Sequence, residues 1–246
     1  MVLQIVHIND TDSTDPDSWA PAADLIRSLR RDGACDVLLH AGDVVLGASS
    51  GPEIVGRLDE LGFTAFALGN HDFDNGADLL LEQVGPLSNR ALCANVFGFT
   101  PFRFVEVRGV KIAIVGVVLG DLVLLQPERN LAGFAVTPPA EALGRLIPEL
   151  RSQADLIIVV SHCGLDADRQ LATDVAGIDL IVGGHSHHLL ERPEQVGRTS
   201  IVQAGAYGRH VGVITATAAG AGEWRFEGRV AAIVSDHDDT TDYAQE

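Results

Sequence analysis

The sequence predicts an α/β protein built on parallel β-sheet, with a second, mixed sheet beside it. Three observations predict this. Short β-branched runs alternate with helical patterns over most of the chain, which is the pattern of βαβ units. The strand-like runs are continuously apolar rather than alternating, so each sheet is expected to be covered on both faces. The late runs depart from the alternation and read as more antiparallel strands.

In chain order, "VLQIVHI" reads as the first strand and "APAADLIRSLRR" as the first helix. "DVLLH", "PEIVGRLDELG" and "TAFAL" repeat the strand, helix, strand order. "FRFVEVRGVKIAIVGVV" reads as a hairpin turning at Arg108-Gly109. "PAEALGRLIPELR", "DLIIVVSH" and "GIDLIVGG" resume the alternation, and "TSIVQAG", "HVGVITATA" and "WRFEGRVAAIV" form the antiparallel group. Neither a Pro/Gly/Ser linker nor a fixed-period repeat divides the chain, so residues 1–235 are expected to form one domain. Residues 236–246, "DHDDTTDYAQE", are acidic and poor in apolar side chains and are expected to fray.

Composition excludes several function classes. With 17 basic against 34 acidic residues the formal charge is −17, which opposes binding to nucleic-acid polymers or anionic membranes, since both need a positive surface. The absence of a long apolar run and of a basic leader pattern reads as a chain that neither spans nor enters a membrane, and a cytoplasmic location is expected. The three cysteines, Cys35, Cys93 and Cys163, are too few and too far apart for a disulfide framework or a thiolate zinc site. Core packing is the expected role of Cys35 and Cys93.

Open α/β sheets bind ligands beyond the C-terminal ends of their strands. The polar residues at those ends are Asp10 and Asp12, Asp43 in "HAGD", Asn70 and His71 in "LGNHDFD", His162 in "VVSH", and His185 and His187 in "VGGHSH". Singly, each has an ordinary reading as a turn or packing residue. As an ordered set they point to metal. Carboxylate and amide oxygens mixed with imidazoles suit Mn²⁺, Fe or Zn²⁺ in open coordination, and this many ligands suit two ions sharing a bridging carboxylate. A metal pair also explains how so acidic a chain would bind an anionic substrate.

The motifs "HINDTDS", "HAGDVVLGAS", "ALGNHDFDNG", "SHCGLDADRQLA", "IVGGHSHHLL" and "VQAGAYGRHVG" occur in the order found in calcineurin-like metallophosphoesterases. Over nearly its whole length the sequence resembles that family, and within it the catalytic domain of 5'-nucleotidases and UDP-sugar hydrolases. The resemblance implies two mixed sheets packed face to face with helices outside, a four-layer αββα sandwich. It implies that Asp10, Asp12, Asp43 and His187 hold one metal and that Asp43, Asn70, His162 and His185 hold the other, with Asp43 as the bridge. His71 resembles the family's catalytic histidine, which with Asn70 faces the phosphoryl group, and Asp74 resembles the carboxylate that orients it. The implied reaction is hydrolysis of a nucleotide-type phosphate monoester by metal-activated water, with two divalent ions, Mn²⁺ foremost and Mg²⁺, Fe or Zn²⁺ as the others.

The sequence departs from the family at two places. Asp12 stands where the family has histidine, which makes the first site richer in oxygen and favours Mn²⁺ or Mg²⁺ over Zn²⁺; the other reading of Asp12 is a loop or helix cap. The sequence as given also ends before the region that clamps the nucleobase in those nucleotidases. The segment Leu119 to Phe134 is then the expected substrate-facing loop, with Arg129 as a phosphate or sugar contact. The alternative to a phosphomonoesterase is a cyclic-nucleotide phosphodiesterase on the same site, and the non-catalytic alternative is a metal-binding interaction module. His7, His40, His188 and His237 read as packed or solvated, and Tyr207, Arg209 and His210 as neighbours of the site.

Overall fold

The computed structural model describes residues 1–11, 20–44, 51–220 and 222–233. Asp12, His237 and the tail 236–246 lie outside the described residues. Two six-stranded sheets form the centre of the molecule. The first contains β1 (Val2–Ile8), β2 (Val37–Ala41), β3 (Ala65–Ala67) and β4 (Ala91–Leu92), all parallel. The second contains β5 (Phe102–Val107), β6 (Val110–Val118), β7 (Leu156–His162), β8 (Leu180–Gly183), β9 (Glu194–Val196) and β10 (Thr199–Val202), in the order β5-β6-β7-β8-β10-β9. The last two strands, β11 (His210–Gly220) and β12 (Glu223–Ala232), return to the first sheet and extend it antiparallel beside β1, giving β12-β11-β1-β2-β3-β4.

The alternation of side chains along each strand builds the layers. On β7, Leu156, Ile158 and Val160 enter the core between the sheets, whereas Ile157 and Val159 pack beneath helices. β1 divides the same way, with Leu3 and Ile5 between the sheets and Val6 and Ile8 against helices. The helices on the first sheet are α1 (Ala20–Arg31), α2 (Gly51–Leu61) and α3 (Ala77–Val84), which supply Ile26, Leu58 and Leu80. A short α4 (Leu122–Leu125) is anchored by Leu122 in that cluster. On the second sheet, α5 (Pro139–Arg151) and α6 (Leu165–Asp174) supply Leu143, Ile147 and Leu171. Both faces of each sheet are thus covered, as the uninterrupted apolar strands predict.

The expected four layers and the Arg108-Gly109 hairpin are present, the turn having φ of 52° and 78° as a two-residue hairpin requires. One expectation needs correction. The run "TSIVQAG" contributes β10, which pairs parallel with β8 and antiparallel only with the short β9. Its apolar run carries no strand-direction signal of its own, and direction is set by how the chain enters it from β9.

Candidate active site

The loops that leave the C-terminal ends of β1, β2, β3, β7 and β8 converge over the seam between the sheets. β1 delivers Asn9 and Asp10, β2 Asp43, β3 Asn70 and His71, β7 His162, and β8 His185 and His187. The backbone here is unusual. Asp10, Asp43, His185 and His187 all have left-handed φ, between 47° and 71°, as does Tyr207 at 58°. Outside this cluster, Arg108 is the one other described non-glycine residue in that region. Each such residue costs on the order of 1–3 kcal/mol, so five in one place mark a surface where function overrides backbone preference.

Hydrogen bonds hold the strained loops. Asp10 accepts the His185 N–H at 2.9 and 3.1 Å and the Asn9 side-chain amide at 2.6 Å, and its carbonyl accepts the Tyr207 N–H at 2.6 Å. Asn9 also accepts the Ala204 N–H at 2.9 Å. Asp72 is buried and its carboxylate accepts three backbone N–H groups, from Gly69 at 2.7 Å, Val44 at 2.9 Å and Asp43 at 3.2 Å. The β2 and β3 loops are therefore fastened to each other through one side chain. Close approach also demands glycine at two places: a Cβ on Gly42 would collide with the His162 ring, and one on Gly69 with the Asp43 carboxylate.

Asp10, Asp43 and His162 present ligand atoms within 4.8 Å of one another, and all three are buried. The His162 Nδ1–H donates to the Ala41 carbonyl at 2.7 Å, because a carbonyl can only accept. Its Nε2 is left facing Asp43 at 2.9 Å and Asp10 at 3.9 Å, and in the neutral ring it is an acceptor set against acceptors. Beside two buried carboxylates that already accept backbone and amide N–H groups, His162 Nε2 and the buried Asn70 Oδ1 lack a hydrogen-bond partner. Such orphaned acceptors cost free energy unless a cation serves them. The donor set fits a divalent ion, and the Nδ1–H bond to a carbonyl is the usual way a ligating imidazole is oriented. Without a cation the cluster holds a proton instead: burial opposes charge on His162, but Asp43 and Asp10 overcome it and raise its pKa to about 10.

His187 Nε2 lies 3.4 Å from Asp10, and its ring packs edge-on to Tyr207 at 5.1 Å between centroids. His185 packs edge-on to His162 at 5.2 Å, and burial, then His162, lower its pKa and keep it neutral. Gln203 fixes the loop that carries both, donating to the Gly184 carbonyl at 2.6 Å and accepting the His188 N–H at 2.8 Å. His71, half-exposed at the rim, donates its N–H to Asp43 at 2.9 Å and sets Nδ1 3.0 Å from Asp74.

Behind Asp74 stands a buried amide pair. Gln126 donates to the Asp74 carboxylate at 2.7 Å and to the Asn70 carbonyl at 2.9 Å. Asn130 donates to the Asp74 carbonyl at 2.8 Å and to Gln126 at 3.0 Å. The Leu119 to Phe134 segment therefore meets the site through these two residues. Arg129, between them in sequence, is exposed and has no described hydrogen bond or ion pair. The sequence pattern singled out Arg129 for its charge and missed Gln126, Asn130, Asn9, Asp72 and Gln203. Asn9, Asp72 and Gln203 lie inside the quoted motifs, whereas Gln126 and Asn130 do not.

The remaining candidates divide simply. His7 is fully buried and neutral, and His40 shares a hydrogen bond of 3.1 Å with Thr11 beneath the site, with burial lowering its pKa to about 3. His188 is exposed and bonds Ser186 at 2.9 Å. Cys93 and Cys163 are buried free thiols and Cys35 is half-buried, in line with packing roles. No described helix is long and apolar enough to cross a membrane.

Residues 3–189 match the family described as calcineurin-like phosphoesterase. A probable 5'-nucleotidase of Treponema pallidum is 31% identical over 243 residues, covering 85% of this chain and 40% of the relative. A 5'-nucleotidase of Vibrio cholerae is 29% identical, covering 76% of this chain and 42% of the relative. The chain spans about two-fifths of the length of these two relatives. In fold, it resembles a 5'-nucleotidase precursor from Thermus thermophilus, with a TM-score of 0.82 at 24% identity over 95% of this chain and 55% of that one. It likewise resembles a calcineurin-like phosphoesterase from Bacillus subtilis, with a TM-score of 0.79 at 24% identity over 94% of this chain and 91% of that one.

Proposed function

This chain belongs to the calcineurin-like phosphoesterase family, and from that premise we propose that it is a divalent-metal-dependent phosphomonoesterase acting on nucleotides. The observation that carries the reading is His162 Nε2, a ring nitrogen buried 2.9 Å from Asp43 and beside Asp10, a set of acceptors that calls for a cation. Asp10, Asp43 and His187 would hold one ion, with Asp12 as a further oxygen ligand, and Asp43, Asn70, His162 and His185 would hold the second. Mn²⁺ is the proposed metal, because the set is rich in hard oxygen donors. The ions would supply an activated water and take up charge on the phosphoryl oxygens.

The chain's own residues do the rest. Asp43 would belong to both halves of the site. His71 faces the leaving oxygen from the rim and delivers a proton to it, while Asp74 on Nδ1 fixes the ring's tautomer and raises the basicity of Nε2. Nucleotides are the proposed substrates because the curated relatives are 5'-nucleotidases. The test is phosphate release from nucleoside 5'-monophosphates, cyclic nucleotides and nitrophenyl esters with Mn²⁺ present. Monophosphate turnover above cyclic-nucleotide turnover is expected; turnover confined to the diesters would contradict the reading.

A further inference from the structure

The first sheet ends in a long strand with one unpaired edge. β12 bonds β11 along its whole length and has no described partner on its other side. The other sheet edges, β4, β5 and β9, are shorter, at two, six and three residues against ten for β12. An open edge of that length is a template for strand pairing, and proteins commonly blunt it with charge. β12 carries charge in an unusual order: its outward-facing side chains are Glu223, Arg225, Glu227 and Arg229, alternating in sign. A run of one sign would repel another copy in every register. Alternation repels in some registers and attracts in others, and in one of these all four charges meet their opposites.

That register can be written out. When two copies of β12 meet antiparallel about an axis at Phe226, Glu223 stands opposite Arg229 and Arg225 opposite Glu227, so every charged residue in the overlap meets its opposite. A two-residue slip either way sets Arg225 against Arg225 with Glu223 against Glu227, or Glu227 against Glu227 with Arg225 against Arg229. Residues of like parity pair throughout, so whichever set of backbone groups points outward on one copy meets the same set on the other. On the inner face, Trp224 falls opposite Gly228, and Phe226 meets its counterpart. Arg225, Glu227 and Arg229 have no described ion pair, whereas Glu223 reaches Arg198 at 2.9 Å with both side chains exposed.

We propose that β12 is a homodimerisation edge, pairing with a second copy of this chain in the register centred on Phe226 and joining the two first sheets into one. The run from Glu223 to Arg229 buries less than a standard interface, so association is reversible and concentration-dependent.

The test is the sedimentation mass of the 246-residue chain at tens of micromolar. Wild type is expected as a dimer. Arg225→Glu and Glu227→Arg alone each turn two attractive cross-strand pairs into repulsive ones and are expected to raise the dissociation constant about tenfold or more. Mixed together, these two variants restore opposite charges at both pairs and should form a heterodimer. R225E/E227R in one chain should recover the homodimer. Unchanged melting temperatures at low concentration check that the single variants fold. A monomeric wild type would overturn the proposal, as would single variants that stay dimeric or a mixture that stays monomeric.

Discussion

His71 is the residue on which the proposed chemistry turns, and its position at the rim separates it from the buried cluster. His71→Asn should lower the turnover of nucleoside monophosphates by roughly 10²–10⁴-fold with metal content near wild type, the usual worth of a general acid. The loss should shrink for nitrophenyl esters, whose leaving group needs little protonation; equal loss for both substrates would point to phosphate positioning instead. Asp72 makes a different demand. Asp72→Ala strands three buried N–H groups and should cost roughly 3 kcal/mol or more in urea unfolding, since each unsatisfied donor costs about 1–3 kcal/mol. His7 gives a pH signature: burial lowers its pKa to about 4 from an ordinary 6.5, and neither ring nitrogen is hydrogen-bonded. The unfolded chain therefore takes up a proton first as pH falls. His7's contribution is intact above pH 6.5 and is lost progressively down to about pH 4. That loss is on the order of 3 kcal/mol, and His7→Leu, which has no proton to gain, should remove this part of the acid destabilisation.

At the scale of elements, the polar residues that gather at the strand ends were legible because two signals coincide: an uninterrupted apolar run gives the strand, and the polar residue that stops it gives the candidate. Asp10, Asp43, His162 and His185 were all readable in this way. The residues that orient them were not. Asp72 looks like any acid in "NHDFD", and its burial follows from the turn of three-residue helix at His71–Phe73, which rotates it inward. Gln126 and Asn130 lie in an irregular segment where neither period of two nor period of 3.6 applies, so nothing local distinguished them from Arg129. Their geometry predicts a role in holding His71. Gln126→Leu should lower turnover of poor leaving groups more than of nitrophenyl esters, as His71→Asn does, but by a smaller factor. A uniform loss for both ester classes would mean that Gln126 only stabilises the fold. The direction of β10 was likewise unreadable, because a short apolar strand looks the same whichever way it runs.

Across the whole molecule, a formal charge of −17 and an anionic substrate are compatible only if the site supplies positive charge that the side chains lack. Asp43 and Asp10 gather negative charge where the proposed phosphate substrate would approach, and His162 alone does not offset both. The dependence on divalent metal is thus the central claim, and removal and return of metal tests it most directly. Chelator-stripped chain should release no phosphate from a nucleoside 5'-monophosphate, and titration with Mn²⁺ should restore activity, saturating at two equivalents per chain. Asp43→Asn should flatten that titration. Full activity in excess chelator after extended dialysis would contradict the account.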